Sequence, residues 1–196
     1  MSKTRNVAIF IFDDVEILDF AGPYEVFNVT TEMTDGTPFN VYSVALTEDI
    51  VHARGRLALQ PAYSIDNCPQ PDLLVIPGGL GTRPLLKNER VAEWLRDQVG
   101  KVEHLLSVCT GALLLAQAGL LKGLNATTHA GAFDELAAIS SDITILKEER
   151  WVDNGKIITA GGVSAGIDMA LYVVHKLLGD EALAAAITEM EYSWRN

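Results

Sequence analysis

Residues 105–115 read LLSVCTGALLL, and this stretch predicts both a fold and a site. The apolar run LLSV is typical of a buried strand, and ALLL resembles the buried face of a helix. Between them stand Cys109, Thr110 and Gly111, where an α/β protein turns from a strand into a helix. A cysteine at this corner is either a small packing residue or a nucleophile at a helix N-terminus, where the dipole and the unpaired N–H groups favour the thiolate.

Strand-like and helical patterns alternate along the rest of the chain. Strands are predicted at 6–12, 39–46, 72–79, 104–108 and 125–129, and helices after residue 12, from Thr110, and at 89–100, 133–139, 160–179 and about 181–191. The stretch 151–160 is the best hairpin signal, with a type I′ turn predicted at Asn154-Gly155. This alternation predicts an α/β fold with a doubly wound parallel sheet. Sites in such sheets form beyond the carboxyl ends of the strands.

Length and composition predict one globular domain covering residues 1–196, since domains of roughly 100–200 residues are common. The net charge of −11 argues against nucleic acid or an anionic membrane as the main partner, because both require a basic surface. The longest uncharged run, 105–121, is shorter than the ~20 residues of a membrane helix, and no secretory signal is recognisable. The two cysteines, Cys68 and Cys109, give neither a disulfide framework nor metal-ligand spacing. We therefore expect a cytoplasmic protein with reduced thiols and no metal site.

Three further features could join Cys109 in a site. Asp19, in LDFAGP after the first strand, is either an N-cap or a general acid beside the thiol. An ionised carboxylate would oppose thiolate formation, so a protonated carboxyl hydrogen-bonded to sulfur is the consistent partner. Gly78 and Gly79, in PGGLG, either permit a tight turn or let backbone N–H groups bind substrate as in an oxyanion hole. His129, at a predicted strand end, could reach the site or be a core or loop histidine.

Four stretches together resemble the ThiJ/PfpI superfamily, which has the class I glutamine amidotransferase-like fold. They are VAIFIFDDVEILDFAGPYEVF, VIPGGLG, SVCTGALLLAQAGLLKGLNATTH and GGVSAGIDMAL, and they cover most of residues 6–175. Within the superfamily, LDFAGP, VCTG and ATTH are similar to the isonitrile (isocyanide) hydratases. They are equally similar to the ligand-binding half of AraC-type regulators.

The resemblance implies a flavodoxin-like sandwich, usually a homodimer, with the cysteine on a nucleophile elbow in a pocket near the dimer interface. It implies that Cys109 is the nucleophile, that Asp19 is the general acid and that Thr110 assists. The N–H groups of Gly79 and Thr110 would be the oxyanion-hole-like donors. Protease-like and glyoxalase-like relatives place a histidine directly after the cysteine, and its absence here argues against Cys-His-Glu chemistry. Ala130 stands where the hydratase pattern ATTHW has a tryptophan, so the pocket wall differs.

The function that these motifs favour is hydration of an isocyanide to an N-substituted formamide through a Cys109 thioimidate. This chemistry needs a small-molecule substrate and no metal or organic cofactor. One alternative is a stand-alone small-molecule sensor or binding domain related to the regulators. Because the acidic sequence shows no helix-turn-helix pattern, such a regulator would act without contacting DNA itself. Another alternative is a redox-responsive protein in which Cys109 is oxidised to a sulfenic or sulfinic acid.

Overall fold

The computed structural model describes residues 3–194, so the first two and last two positions of the predicted domain 1–196 lie outside the described residues. The strands in this range are β1 Arg5–Phe10, β2 Phe39–Ala45, β3 Val51–Ala53, β4 Leu57–Leu59, β5 Tyr63–Ser64, β6 Leu73–Ile76, β7 His104–Val108, β8 Asn125–Ala126, β9 Thr144–Ile145, β10 Trp151–Asp153 and β11 Ile157–Ala160. The helices are α1 Ile17–Met33, α2 Thr82–Leu85, α3 Glu89–Lys101, α4 Gly111–Gln117, α5 Phe133–Ile139, α6 Ala165–Leu178 and α7 Asp180–Glu189.

A seven-stranded sheet forms the centre of the molecule, in the order β10-β11-β7-β6-β1-β2-β5. Every neighbouring pair is parallel except β10 with β11. Strands β6 and β7 are buried along their whole length, and β1 is buried over its last four residues. Burial on both faces is the reason that these strands are continuous apolar runs in the sequence. The predicted α/β fold with a doubly wound parallel sheet is confirmed.

Helices pack on both faces of the sheet and create two cores. Side chains of α3, α4 and α5 meet one face, and side chains of α1, α6 and α7 meet the other. In α3, Trp94 and Leu95 lie on the buried side of an amphipathic helix. Trp94 packs on Phe10 of β1 with ring centroids 5.3 Å apart. The α3 N-terminus is capped by Asn88, whose side chain accepts a hydrogen bond from a backbone N–H.

The hairpin at 151–160 is present, but its turn differs from the prediction. The N–H of Asn154 donates to the carbonyl oxygen of Ile157 at 3.0 Å, so Gly155 and Lys156 are the central residues of the turn. Of these two, only Gly155 has a positive φ, at 84°. A type I′ turn requires positive φ at both central residues, so the prediction of that turn at Asn154-Gly155 is wrong. Glycine at the first central position is instead typical of a type II′ turn.

The strand predicted at 125–129 is shorter than expected because two threonines leave the ladder. Strand β8 ends at Ala126, and the next N–H, that of Thr127, donates to the Thr159 hydroxyl at 3.0 Å. The Thr128 hydroxyl donates to the carbonyl oxygen of Cys109 at 2.7 Å. The chain after β8 is thereby fixed against the strand–helix corner that holds the cysteine.

The segment between β2 and β6 forms an antiparallel hairpin, β3 with β4, and contributes the edge strand β5. This hairpin reaches the start of α1, where the Arg54 N–H donates to the carbonyl oxygen of Val15 at 2.9 Å. It therefore lies beside the loop that follows β1. None of the helices formed by residues 3–194 has the length and apolar character required to cross a bilayer.

Candidate active site

Cys109 occupies a sharp turn between β7 and α4. Its φ is +55°, a left-handed conformation that costs a non-glycine residue roughly 1–2 kcal/mol. Its N–H donates to the carbonyl oxygens of Ala160 and Gly161 at 3.1 and 2.9 Å. Gly111 permits the helix to start here, because a Cβ at that position would lie 2.0 Å from the carbonyl oxygen of Ile76. The predicted strand–cysteine–helix elbow is present.

Asp19 lies in the first turn of α1 with its side chain fully buried. The N-cap of that helix is Glu16, so the N-cap interpretation of Asp19 is wrong. Its Oδ2 accepts the N–H of Gly78 at 3.0 Å, whereas Oδ1 has no hydrogen bond of ordinary geometry. Burial raises the pKa of Asp19 to about 6, although the Gly78 N–H, the Cys109 thiol and the Val163 N–H lower it in part.

The thiol of Cys109 faces this carboxyl in a buried position, with only 6% of the residue exposed. Burial is the largest influence on the thiol and the charge of Asp19 the next, and together they raise its pKa to about 12. The N–H and the hydroxyl of Thr110 lower the pKa of the thiol, but by less than burial and Asp19 raise it. The expectation of a resting thiolate at the helix N-terminus is therefore wrong. At neutral pH the pair holds one proton on sulfur, and the carboxyl is ionised.

The glycines of PGGLG lie against the elbow as expected, but their N–H groups already have partners within the protein. Gly78 donates to Asp19, and Gly79 donates to the Thr110 hydroxyl at 2.9 Å. The Thr110 hydroxyl is also within 3.2 Å of the carbonyl oxygen of Gly79. A Cβ on Gly78 would be 2.5 Å from the Thr110 nitrogen. These glycines thus permit close approach and hold two side chains in place, and any substrate contact of their N–H groups would require those bonds to open.

A cavity of 180 Å³ opens above the thiol. It is smaller than the roughly 300–1,000 Å³ of common ligand pockets, so it suits a small reacting group whose substituent extends to the mouth. Its walls combine the predicted Gly79, Cys109, Thr110 and His129 with Glu16, Arg54, Leu80, Arg83 and Val163.

Sequence reasoning missed the charged side chains at the mouth of this cavity. Arg54 and Glu16 form an ion pair at 2.5 Å, and Arg83 donates to the carbonyl oxygen of Gly79 at 3.1 Å. No motif marks these residues. Arg54 follows β3 in the segment with the weakest periodicity. The only usable signal was the place of Glu16, beyond the carboxyl end of β1, where such sites form.

Metal-ligating side chains do not cluster in the described part of the chain: residues 3–194 contain no group of three or more His, Cys, Asp or Glu placed to hold an ion.

The elbow, the buried carboxyl and the glycine turn are the features by which the sequence resembled a family. Residues 5–176 match the DJ-1/PfpI family along that whole range. The chain belongs to the DJ-1/PfpI family.

Known proteins of two kinds are similar to this chain. It is 33% identical over 188 residues to the isonitrile hydratase of Pseudomonas putida, covering 96% of this chain and 78% of that protein. It is 25% identical over 186 residues to the HTH-type transcriptional regulator GbdR of Pseudomonas aeruginosa, covering 95% of this chain and about half, 50%, of the regulator. Both resemblances predicted from the motifs are confirmed.

A solved structure has the same fold over the whole chain. The crystal structure of a ThiJ/PfpI family protein from Pseudomonas syringae superposes with a TM-score of 0.88 at 29% identity, covering 100% of this chain and 78% of that one. The relatives thus include an enzyme and a regulator, each similar to this chain over at least 95% of its length. Fold alone does not choose between these functions, so the choice depends on the chemistry of the cavity.

Proposed function

We propose that this protein is a cysteine-dependent hydratase that adds water to an isocyanide and releases an N-substituted formamide. The observation that carries the proposal is the contact between the Cys109 thiol, which lines a small cavity, and the Asp19 carboxyl, which is fully buried behind it. In this pair Cys109 supplies the nucleophile, and Asp19, in contact with it, supplies a group that can accept a proton and return it. Similarity to an isonitrile hydratase at 33% identity supports the same chemistry.

The first half of the reaction makes the thioimidate. Asp19 accepts the proton of the Cys109 thiol as sulfur attacks the terminal carbon of the isocyanide, and the C–S bond forms. Negative charge develops on that carbon, and Asp19 returns the proton to it, giving Cys–S–CH=N–R. The Thr110 N–H, which lowers the pKa of the thiol, stabilises the sulfur anion while it exists. General acid–base help of this kind is typically worth ~10²–10⁴ in rate.

The second half consumes water. Water adds to the thioimidate carbon, one of its protons goes to nitrogen, and the second is accepted by Asp19. The C–S bond then breaks as the C=O bond forms, and Asp19 returns its proton to sulfur. The products are R–NH–CHO and the original thiol, so every atom and proton is accounted for with water as the only co-reactant.

The test is turnover of a simple aryl isocyanide by the purified protein, with formamide followed by absorbance. Cys109→Ala should abolish turnover, and Asp19→Asn should lower it by at least ~10²-fold. Cys68→Ala is the matched control, since Cys68 lies outside the cavity and should leave the rate unchanged. Absence of turnover by the unmodified protein would show that the proposal is wrong.

A second candidate function is a small-molecule binding or sensor domain, favoured by the 25% identity to a regulator over 95% of this chain. Saturable binding of a ligand in the cavity, without conversion, would identify it. The redox alternative predicts peroxide-dependent mass gain confined to Cys109. The raised pKa of that thiol disfavours it, because the thiolate is the form that peroxide oxidises.

We also propose a homodimer in a reducing, cytoplasmic setting. Exposed apolar side chains on α1 and on the β3–β4 hairpin support a dimer surface, among them Leu18, Tyr24 and Leu57. Burying these side chains against a second copy is favourable because it removes apolar surface from water. Sedimentation at micromolar concentration should give a dimer that Leu57→Glu dissociates, whereas Met33→Glu, at the far end of α1, should not. A monomeric unmodified protein would exclude the dimer.

A further inference from the structure

Arg83 is a charged residue of the cavity wall that the proposed mechanism does not use. It lies in the short helix α2 and lines the cavity of 180 Å³ together with Cys109. Arg54 and Glu16, which also line the cavity, form an ion pair with each other. The acid that pairs with Arg83 is Glu135 of α5, which lies outside the wall. Among residues 3–194, two arginines and one glutamate thus line the cavity, and its wall carries an excess positive charge in a chain whose net charge is −11.

The guanidinium of Arg83 is held in place from two sides. Its Nε and Nη2 donate to the two carboxylate oxygens of Glu135 at 3.2 and 2.7 Å. Its Nη1 donates to the carbonyl oxygen of Gly79 at 3.1 Å, and Gly79 is fixed to the elbow through the Thr110 hydroxyl. A group that is already oriented loses little freedom when it gains a further partner. Arg83 is therefore a pre-oriented cation in the cavity wall.

The same guanidinium retains hydrogen-bonding capacity. An arginine has five N–H groups, and Nη2 uses one of its two on Glu135. The second N–H of Nη2 has no acceptor among residues 3–194. The neighbouring Nη1 has, besides Gly79, only a long contact of 3.4 Å to the Thr82 hydroxyl. Two adjacent N–H groups of this kind match the two oxygens of a carboxylate, so the end of the guanidinium suits an anion.

We propose that Arg83 is a specificity-determining residue that binds a carboxylate on the substituent of the isocyanide. This inference rests on the hydratase function proposed above and names its substrate class: compact isocyanides that carry a carboxylate close to the isocyano group. The substrate must be compact because the carbon attacked by Cys109 and the carboxylate at Arg83 share one space of 180 Å³. Asp19 also bears negative charge near the thiol, but it is fully buried and lies outside the wall, so the substituent meets Arg83 instead.

The first experiment compares two substrates that share the reacting group and differ in charge: isocyanoacetate and its uncharged methyl ester. The readout is the kcat/KM for the acid divided by that for the ester, because a general loss of activity cancels in this ratio. Arg83→Gln removes the charge and keeps an N–H donor, whereas Glu135→Gln removes the ion-pair partner and keeps the charge of Arg83. Arg90→Gln is the matched control, since Arg90 of α3 is also paired with an acid, Asp66, and lies outside the cavity.

Arg83→Gln should lower the ratio about 10–10²-fold, as expected for the loss of hydrogen bonding between charged groups. Glu135→Gln should keep or raise the ratio, because Arg83 then has no competing carboxylate, and Arg90→Gln should behave as the unmodified protein. A ratio that is the same in Arg83→Gln as in the unmodified protein would overturn the inference while leaving the hydratase function intact. An equal fall in Glu135→Gln would overturn it as well, because the ion pair would then act by holding the local structure and the charge of Arg83 would bind nothing.

A second experiment tests the anion site without turnover. Iodoacetate and iodoacetamide both alkylate thiols, but only iodoacetate carries a carboxylate, and peptide masses give the rate of each reagent at each cysteine. The rate with iodoacetate relative to iodoacetamide should fall about tenfold at Cys109 in Arg83→Gln, with no change at Cys68, which lies outside the cavity. This fall in a protein that turns over neither isocyanide would show that the hydratase function is wrong and that Arg83 binds anions. An unchanged relative rate at Cys109 would show that Arg83 binds no anion in the cavity, and the inference would be wrong.

Discussion

Replacing Asp19 by Asn removes a buried charge while it preserves the shape of the side chain. The amide oxygen can still accept the Gly78 N–H, which is 3.0 Å from Oδ2. In the folded protein burial raises the pKa of Asp19 to about 6, whereas its ordinary value is 3.8. The folded state therefore holds the proton more tightly than the unfolded chain does. We expect Asp19→Asn to be more stable than the unmodified protein at neutral pH and at least ~10²-fold slower as a hydratase.

The sign and size follow from this difference in proton affinity. Stability falls with rising pH wherever the folded state binds more protons than the unfolded state. For Asp19 that range lies between the folded and unfolded pKa values. The loss of unfolding free energy caused by burying its ionised carboxyl is therefore absent below about pH 4 and complete above about pH 7. At about 1.4 kcal/mol for each pKa unit, the cost at neutral pH is about 3 kcal/mol. The Asn variant carries none of this pH dependence.

Urea unfolding of both proteins at pH 4.5, 6 and 8 measures the effect. The difference in the free energy of unfolding should grow in favour of Asp19→Asn by about 2 kcal/mol between pH 4.5 and pH 8, because about 1 kcal/mol of the cost is already present at pH 4.5. Titrations of all other groups cancel in this difference. Asp168→Asn is a control with the opposite expectation: Asp168 is also fully buried but is paired with Arg150, so its loss should destabilise the fold. A difference between unmodified protein and Asp19→Asn that stays constant with pH would refute the reasoning.

Three further outcomes follow from the same geometry. The kcat/KM for an isocyanide should fall as the pH drops through about 6, because protonated Asp19 cannot accept the thiol proton. From pH 7 to 9 it should stay level, because the pKa of the thiol is about 12. A rise of kcat/KM through pH 8–9 would contradict this. Gly78→Ala should lower the free energy of unfolding in urea by about 1–3 kcal/mol and abolish most of the activity, since its Cβ would lie 2.8 Å from the Cβ of Cys109. Gly100→Ala is the control: its Cβ would have no atom within 4 Å, so the fold should not be destabilised. Thr128→Val should lose about 1 kcal/mol in the same assay, because its hydroxyl bond at 2.7 Å helps to hold Cys109 in a left-handed conformation.

Sequence patterns predicted the sheet because its central strands are buried on both faces. A strand such as β7 must be apolar along its whole length, and this is visible without knowing its neighbours. The elbow was predictable for the same reason, since Cys109 lies where one apolar pattern ends and another begins. Asp19 and Gly78 could be placed near it because parallel strands bring their carboxyl ends to one edge.

The electrostatics of the site could not be predicted in this way. The pKa of Cys109 depends on its depth and on the distance to Asp19, which lies 90 positions earlier in the chain, and neither quantity is a property of the local sequence. The helix N-terminus suggested a thiolate, but burial and a nearby carboxylate outweigh the N–H and the hydroxyl of Thr110. Arg54 was missed because short hairpin strands such as β3 and β4 carry too few residues to show a period. The turn at Asn154-Gly155 was misassigned because one glycine fits two turn types that differ by a one-residue shift.

The energetic cost of the site bears on the choice between an enzyme and a binding domain. Asp19 lowers stability by about 3 kcal/mol at neutral pH, and the left-handed backbone of Cys109 lowers it by roughly 1–2 kcal/mol more. These are large amounts beside the 5–15 kcal/mol that hold a typical domain together. A pocket that only binds a ligand needs neither a cysteine with a strained backbone nor an ionised carboxyl buried against its thiol. Such features persist where their chemistry is used, and a carboxyl and a thiol that share one proton are suited to moving that proton during a reaction.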